Sequence, residues 1–271
     1  MIKAFLNEVL QEDVGRGDLY ALVSEATPAR ALIVAKSDGV LAGRRYLDVL
    51  AEMEHFSITW HYSDGESFRQ GMELAVVEGD SHTLLRIERT LLNMLLHASS
   101  IATLTRKFAT IVAPYGTKLL DTRKTRPLLR VFEKYASRCG GAINHRMGLD
   151  DCLMLKDTHL KTISNLETFI TQARRVIPFT SNIEIEAECV ADAITFMGAG
   201  ADIVMCDNMT PEQLIEVVTY RNQHCPAVRL EASGNISLET IESYAKTGVD
   251  AISSGAFIHQ AAWIDISMKM Q

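Results

Sequence analysis

Positive charge in this acidic chain is concentrated between residues 118 and 146. That segment contains eight Lys and Arg residues but only two acidic residues, so its net charge is +6. The complete chain of 271 residues carries −7, which leaves −13 for the remainder. A local concentration of cations in an acidic protein indicates a site for a small, highly anionic ligand. The overall charge argues against nonspecific binding of nucleic acid.

The residues best suited to chemistry follow short apolar runs at regular intervals. The runs occupy residues 118–121, 142–144, 152–157, 183–188, 202–207, 228–233 and 250–255. Their last positions, or the positions just beyond, hold charged, hydroxyl or glycine residues: Thr122, Arg123, Lys124, His145, Arg146, Lys156, Glu186, Asp207, Ser233, Gly234 and Gly255. Any of these taken singly has a structural explanation. Their recurrence after successive runs indicates one shared site.

Arginine and lysine in this set match carboxylate and phosphate groups. The five potential cations are Arg123, Lys124, His145, Arg146 and Lys156. Glu186 and Asp207 have no His or Cys at metal-ligand spacing, which favours Mg²⁺ bound through carboxylates and substrate phosphates. The glycines near the last two runs allow backbone N–H groups to approach a phosphate. The pattern therefore predicts a phosphorylated sugar, Mg²⁺ and a second anionic substrate.

Helical segments alternate with these runs and must position their ends. Apolar residues recur at three- and four-residue spacing in residues 128–136, 166–176, 191–197, 214–220 and 241–245. Such alternation predicts parallel strands joined by crossovers, and seven strands suggest a (β/α) barrel. The interval between residues 144 and 152 is too short for a crossover helix, so we expect an irregular or incomplete barrel. Arg130, Lys134 and Arg138 share helical spacing and are interpreted as a solvated helix face.

The first 116 residues lack this alternation and are predicted to form an α+β domain. Strands are expected at residues 30–35, 40–42, 58–62 and 73–78, with helices at residues 1–11, 47–53 and 87–108. The long helix is expected to break near Ser99 and Ser100. Residues 117–271 form the barrel domain in this prediction, with a C-terminal helix that packs back on the N-terminal domain.

The composition predicts a cytoplasmic protein. The five cysteines form no Cys-x-x-Cys pair, which favours reduced thiols over disulfides or a structural zinc site. No apolar run approaches the roughly 18 to 20 residues needed to span a membrane. The first 18 residues have no basic start followed by an apolar stretch, so they do not resemble a secretory signal.

Ordered motifs along the chain resemble those of the quinolinate phosphoribosyltransferase family, also called decarboxylating nicotinate-nucleotide pyrophosphorylases. They are EDVGRGDL (12–19), ERTLLNMLLHASSIATLT (88–105), LLDTRKTRPLLR (119–130), EKYASRCGGAINHR (133–146), LMLKDTH (153–159), IEIEAE (183–188), MCDN (205–208) and EASGNI (231–236). The resemblance implies transfer of phosphoribosyl from phosphoribosyl pyrophosphate to quinolinate with loss of CO₂. The product is nicotinate mononucleotide, an intermediate of NAD synthesis, and the reaction requires Mg²⁺.

The resemblance also implies a role for each residue. Arg123, His145, Arg146 and Lys156 would hold the quinolinate carboxylates, with Thr122 beside them. Lys124, Glu186 and Asp207 would be catalytic together with Lys156: Lys124 at the pyrophosphate substrate, the two acids at the ribose and Mg²⁺. The 5′-phosphate would be held by Ser233, Gly234, Gly255 and His259. Arg89 would enter the site of a neighbouring subunit, which implies a homodimer with shared active sites, or a higher oligomer.

Three alternative functions are compatible with a barrel of this kind. A related transferase could use nicotinate as its acceptor, although a monocarboxylate needs fewer cations. A molybdenum-associated paralogue shares the motifs. A barrel that only senses a phosphosugar would lack Lys124, Glu186 or Asp207, and all three are present.

Overall fold

The structure, a computed structural model, describes every residue from Met1 to Gln271. It divides into two compact units, each assembled from separate chain segments. The first unit comprises residues 1–106, 135–141 and 261–271, and the second comprises residues 107–134 and 142–260. The boundary predicted at residues 116 and 117 therefore differs from the observed one, and two later segments belong to the first unit.

The helices agree closely with the apolar periodicity. They are α1 (Ile2–Val14), α2 (Arg44–Glu54), α3 (Ser81–Val112), α4 (Arg130–Gly140), α5 (Asp157–Leu160), α6 (Leu166–Val176), α7 (Val190–Gly198), α8 (Pro211–His224), α9 (Ile241–Ala245) and α10 (Ala256–His259). Short 3₁₀ turns occur at Tyr20–Leu22 and Ala113–Tyr115. None of these helices combines the length and apolar character required to cross a bilayer.

The strands alternate with these helices only in the second half of the chain. They are β1 (Pro28–Ala35), β2 (Gly39–Val40), β3 (Ser57–Trp60), β4 (Ser67–Phe68), β5 (Glu73–Asp80), β6 (Lys118–Leu120), β7 (Leu153–Leu155), β8 (Ile183–Ala187), β9 (Ile203–Asp207), β10 (Arg229–Ser233), β11 (Ala251–Ser253) and β12 (Ile266–Met270).

The first unit contains an antiparallel sheet of order β12-β1-β5-β3 and a small β2-β4 pair. Ala31, Ile33 and Ala35 of β1 are fully buried on one face of the sheet. The predicted C-terminal helix is wrong, because Ile266–Met270 forms strand β12, antiparallel to β1. Ile266, Met268 and Met270 recur every second residue, a strand period that a helix could not place on one face.

Helix α3 is continuous, so the predicted break at Ser99 and Ser100 is absent. Both serines are buried. The Ser100 hydroxyl donates to the Leu96 carbonyl at 2.6 Å, and the Ser99 hydroxyl lies 3.1 Å from both the N–H and the carbonyl oxygen of Ala42. Because both hydroxyls are satisfied without disturbing the helix backbone, the helix continues through them.

The second unit is built on six parallel strands in the order β6-β11-β10-β9-β8-β7. The edge strands β6 and β7 are not paired with each other, so the prediction of an incomplete barrel is confirmed. Of the two closely spaced runs at residues 142–144 and 152–157, only the second contains a strand, and the first contributes one bridge, between Leu120 and Ile143. The segment between residues 142 and 152 therefore occupies the gap without closing the sheet.

Local capping explains why the predicted helices begin where they do. The Asn165 side chain accepts a hydrogen bond from the Thr168 N–H at 2.8 Å and starts α6. Thr210 and Gln213 form a reciprocal capping box at α8, with Pro211 at the first helical position. Helix α8 begins shortly after β9 ends at Asp207, so the cap at Thr210 also helps to fix where that strand ends.

We expect Gly140→Ala to lower the free energy of unfolding by about 2 kcal/mol or more. A Cβ at this position would lie 2.4 Å from Thr105 Cβ and 2.5 Å from the Ala102 carbonyl oxygen, within the first unit. The matched control is Gly198→Ala at the end of α7, where a Cβ meets nothing within 4 Å. Urea unfolding should show the control unchanged or more stable, and equal stability of the two variants would contradict the contact.

Candidate functional site

A cavity of about 330 Å³ opens at the carboxyl ends of the parallel strands. Nine of the residues singled out in the sequence line it: Thr122, Arg123, Lys124, His145, Arg146, Lys156, Glu186, Asp207 and Ser233. They come from β8, β9, β10 and the segments that follow β6 and β7, together with the bridging segment at residues 142–152. The structure therefore brings together side chains that are up to 111 residues apart in sequence, as the C-terminal face of a parallel barrel requires.

Gly234 and Gly255 do not line the cavity but lie next to residues that do. A Cβ on Gly255 would stand 3.1 Å from Lys124 Cβ, 3.1 Å from Thr122 Oγ1 and 3.2 Å from the His259 ring. Gly234 has a φ of +90°, and a Cβ there would lie 2.2 Å from Asn208 Oδ1. The turn at Gly234 therefore requires glycine, and at Gly255 a Cβ would crowd the Thr122 and Lys124 side chains.

Arg89 is not part of this cavity. It lies on α3 in the first unit, and its side chain is exposed. The structure of one chain therefore leaves its predicted role in a neighbouring subunit's site as a prediction.

Four cavity residues were missed in the sequence: Met154, Met205, Glu231 and Ser253. Met154, Met205 and Glu231 each lie two positions before a predicted residue on the same run. Strand side chains alternate between faces, so residues two apart point the same way. Applying this period backwards from Lys156, Asp207 and Ser233 would have found them.

Strand register sets the relative depth of the cavity residues. Met205 pairs with Glu186 on one side and with Glu231 on the other, and Asp207 pairs with Ser233. The inner surface thus carries Glu186, Met205 and Glu231 in one layer and Asp207 and Ser233 in the next. This interior is charged, whereas a typical closed barrel is packed with apolar layers.

Lys134 is fully buried, which corrects its interpretation as part of a solvated helix face. Its ammonium group donates to Asp121 Oδ1 at 2.6 Å, to the His145 carbonyl at 2.7 Å and to the Arg146 carbonyl at 2.9 Å. Burial lowers the pKa of Lys134, while Asp121 opposes that change. Asn144 completes the network with a 2.6 Å hydrogen bond to Asp121 Oδ2. These hydrogen bonds fix the backbone of residues 144–146.

The two cavity arginines, Arg123 and Arg146, lie near each other, and acidic groups do not fully neutralise their charge. The Arg146 guanidinium donates to the Cys152 carbonyl at 3.1 Å and lies 3.3 Å from Met154 Sδ. Slight burial, together with repulsion from Arg146 and Arg130, holds the pKa of Arg123 below its usual value. Mutually repelling cations around one cavity indicate that its ligand supplies negative charge.

Carboxylates face these cations from β8 and β9. Lys156 Nζ forms an ion pair with Glu186 Oε2, and Asp207 Oδ2 accepts a hydrogen bond from the Asn208 side chain at 2.7 Å. Both acids line the cavity. They offer only oxygen donors, which is the chemistry that Mg²⁺ prefers.

His145 lies between two buried carboxylates at the cavity floor. Its Nε2 is 3.3 Å from Glu184 Oε2 and 3.2 Å from Glu231 Oε2. Burial alone would lower the pKa of His145, but hydrogen bonds and attraction from both glutamates outweigh it and raise the pKa to about 10. The three side chains could also ligate a cation, although a retained imidazole proton competes with a metal at Nε2.

The raised pKa of His145 predicts a pH-dependent stability difference between the wild type and His145→Gln. A raised folded-state pKa contributes stability that is fully present below the unfolded value of about 6.5. That contribution is lost as pH rises through about 10. We expect the wild type to exceed the variant by a few kcal/mol near neutrality and to lose this advantage towards pH 10.

Urea unfolding at intervals of pH measures this difference. His259→Gln is the control, because His259 is exposed at the surface. A wild-type advantage that grows with pH would have the wrong sign for a histidine held by two carboxylates.

Comparisons with known proteins all identify the same family. The quinolinate phosphoribosyl transferase N-terminal domain matches residues 18–99, and the C-terminal domain of the same family matches residues 101–269. A probable nicotinate-nucleotide pyrophosphorylase [carboxylating] of Synechocystis is 37% identical over 275 residues, covering 100% of this chain and 92% of that protein. The human nicotinate-nucleotide pyrophosphorylase [carboxylating] is 34% identical, covering 99% of this chain and 91% of that protein.

Solved structures agree over the whole length. NadC from Streptococcus pyogenes has a TM-score of 0.93 at 36% identity, covering 100% of this chain and 96% of that one. The nicotinate-nucleotide pyrophosphorylase from Francisella tularensis has a TM-score of 0.91 at 34% identity, with the same coverage.

Proposed function

This chain belongs to the quinolinate phosphoribosyltransferase family, and we propose how its cavity carries out that family's reaction. The enzyme transfers phosphoribosyl from phosphoribosyl pyrophosphate to quinolinate. Loss of CO₂ then gives nicotinate mononucleotide for NAD biosynthesis. The observation that supports this most directly is one cavity in which arginines and lysines face two carboxylates across parallel strand ends.

Quinolinate carries two carboxylates, and the cationic side of the cavity suits it. Arg123, Arg146, His145 and Lys156 bind the carboxylates, and Thr122 lies beside them. Arginine pairs with a carboxylate through two parallel hydrogen bonds, so it orients the ring as well as attracting it. The fixed backbone of residues 144–146 keeps two of these groups in place before the substrate arrives.

The phosphoribosyl group occupies the opposite side. Lys124 binds the pyrophosphate substrate, while Ser233, Gly234, Gly255 and His259 hold the 5′-phosphate. The absence of side chains at the two glycines leaves space that any Cβ would fill. Backbone N–H groups can therefore reach the phosphate oxygens.

Glu186 and Asp207 act at the ribose. Carbon C1 gains positive charge as pyrophosphate leaves, and two fixed carboxylates stabilise that charge. The same residues are the ones that would hold Mg²⁺, since both present oxygen donors to the cavity. Bound Mg²⁺ would neutralise charge on the pyrophosphate group.

A homodimer with shared sites fits the exposed groups of the first unit. Arg89 is exposed, and three apolar residues near the N-terminus are exposed as well: Leu19 at 76%, Leu22 at 78% and Val23 at 83%. Exposed apolar groups of this kind are typical of a surface covered by a partner. The five free cysteines are consistent with a reducing cytoplasm.

An end-point assay separates the quinolinate reaction from the nicotinate alternative. With phosphoribosyl pyrophosphate and Mg²⁺, quinolinate should give nicotinate mononucleotide and CO₂ in equal amounts, and nicotinate should give no nucleotide. Chelation of Mg²⁺ should stop the reaction. Arg146→Ala, the negative control, should reduce kcat/KM by about 10² to 10³. Product from nicotinate alone would assign the site to a different acceptor.

Mixed dimers test the shared site. Arg89→Ala and Arg123→Ala should each be nearly inactive. After subunit exchange in an equimolar mixture, half of the dimers are mixed, and each has one intact site of two. Activity should therefore recover to roughly one quarter of the wild-type value. Mixing either variant with itself is the control, and an absence of recovery after proven exchange would place Arg89 outside the partner's site.

A further inference from the structure

The reaction proposed above requires a proton that none of the roles given so far supplies. When CO₂ leaves, the electron pair of the broken bond stays on ring carbon C2, next to the positively charged ring nitrogen. The product carries hydrogen at C2, so one proton must reach this carbon in every turnover. The donor must line the cavity and be resupplied from water.

Glu231 has the position that this task requires. It is 2% exposed and lines the catalytic cavity from the middle of β10. Its Oε2 lies 3.2 Å from His145 Nε2, while its Oε1 is buried without a hydrogen-bond partner. A buried oxygen without a partner is costly in a native structure. A role in the reaction accounts for its retention.

The surroundings keep a proton beside Glu231. Glu184 approaches the same imidazole nitrogen from β8, and Cys152 Sγ lies 3.8 Å from Glu184 Oε2. The Arg146 backbone nitrogen lies 2.7 Å from His145 Nδ1, and the other ring nitrogen, Nε2, faces the two carboxylates. Two carboxylates this close to one nitrogen disfavour the fully deprotonated state.

A second cavity provides the route for resupply. It has a volume of about 310 Å³ and lies at the opposite end of the strands, among residues that begin them. Lys118 and Arg229 line it and are exposed, which opens it to solvent. His145 and Glu231 line both cavities. The pair therefore stands between the substrate on one side and water on the other.

The other charged groups of the catalytic cavity are less suited to this step. Arg123 and Arg146 are unsuitable donors, because arginine side chains do not give up a proton in proteins. Lys156 is held in an ion pair with Glu186. Lys124 is assigned to the pyrophosphate substrate. Arg146, His145 and Glu231 line both cavities. Of these three, only His145 and Glu231 can exchange a proton, because a guanidinium does not give one up in proteins.

We propose that Glu231 is the proton donor to C2 of the decarboxylated ring and is recharged through His145 from the second cavity. The bond between C2 and its carboxylate breaks, CO₂ leaves, and the electron pair remains on C2. The O–H bond of Glu231 then breaks, its proton forms the C–H bond at C2, and Glu231 becomes a carboxylate. A proton from water in the second cavity restores the pair.

Single-turnover kinetics of Glu231→Gln tests this assignment in the intact enzyme. Pyrophosphate release should stay within about threefold of the wild type, because the first step needs no proton donor. Formation of nicotinate mononucleotide should slow by about 10²-fold or more. Carbon-13-labelled CO₂ should exchange into the bound intermediate of the variant, since an unprotonated C2 recaptures it. A residue that only supports the fold would not produce this exchange.

Glu184→Gln is the matched control. This substitution removes a buried carboxylate that contacts the His145 imidazole, as Glu231 does, but Glu184 lines only the second cavity. Its pyrophosphate and nucleotide steps should remain coupled. Glu231→Asp retains an acid and should restore part of the rate of nicotinate mononucleotide formation. This variant also keeps the test decisive if Glu231→Gln does not fold.

Two results would overturn the role of Glu231. One is an equal loss of pyrophosphate and nucleotide formation in the Glu231 variants, which would assign it to substrate binding. The other is normal product formation without CO₂ exchange. A wild-type enzyme that released neither pyrophosphate nor CO₂ from quinolinate would instead contradict the proposed function itself.

Discussion

The buried ion pair between Lys134 and Asp121 is the contact on which the catalytic geometry depends. A buried ammonium and a buried carboxylate each carry a large desolvation cost, and their mutual attraction often only balances it. Here the pair is completed by hydrogen bonds from Lys134 to two backbone carbonyls and from Asn144 to Asp121. Those carbonyls belong to His145 and Arg146, so the same contacts that satisfy the charges also fix two residues that we propose to bind the acceptor.

This arrangement explains why the sheet remains open between β6 and β7. A closed parallel barrel is usually filled by apolar layers. The interior here contains Glu184, Glu186, Glu231 and His145, which need hydrogen-bonding partners and water instead. The segment at residues 142–152 occupies the gap with one backbone bridge. It delivers His145 and Arg146 to the interior, which a regular strand and crossover helix would not have allowed in so few residues.

Charge is separated across the catalytic cavity in a way that suits two successive steps. In the proposed reaction, carboxylates on β8 and β9 face the ribose, where positive charge develops as pyrophosphate departs. Cations after β6 and in the bridging segment would then face the acceptor, whose carboxylates are negative. The His145 cluster lies below both and borders the second cavity. Glycosyl transfer and protonation of the ring can therefore be served by different groups within one cavity.

The sequence by itself determined most of the alternation of strands and helices after residue 117 and most of the cavity residues. These features follow from local rules: apolar period, capping chemistry and the meeting of parallel strand ends at one edge. The motifs also identified the family. Only the tertiary structure decided that Lys134 is buried and that Glu231 reaches the cavity. It also decided that the C-terminal segment joins the first unit's sheet. Those outcomes depend on which distant residues become neighbours, and a helical or alternating pattern does not specify what lies opposite each face.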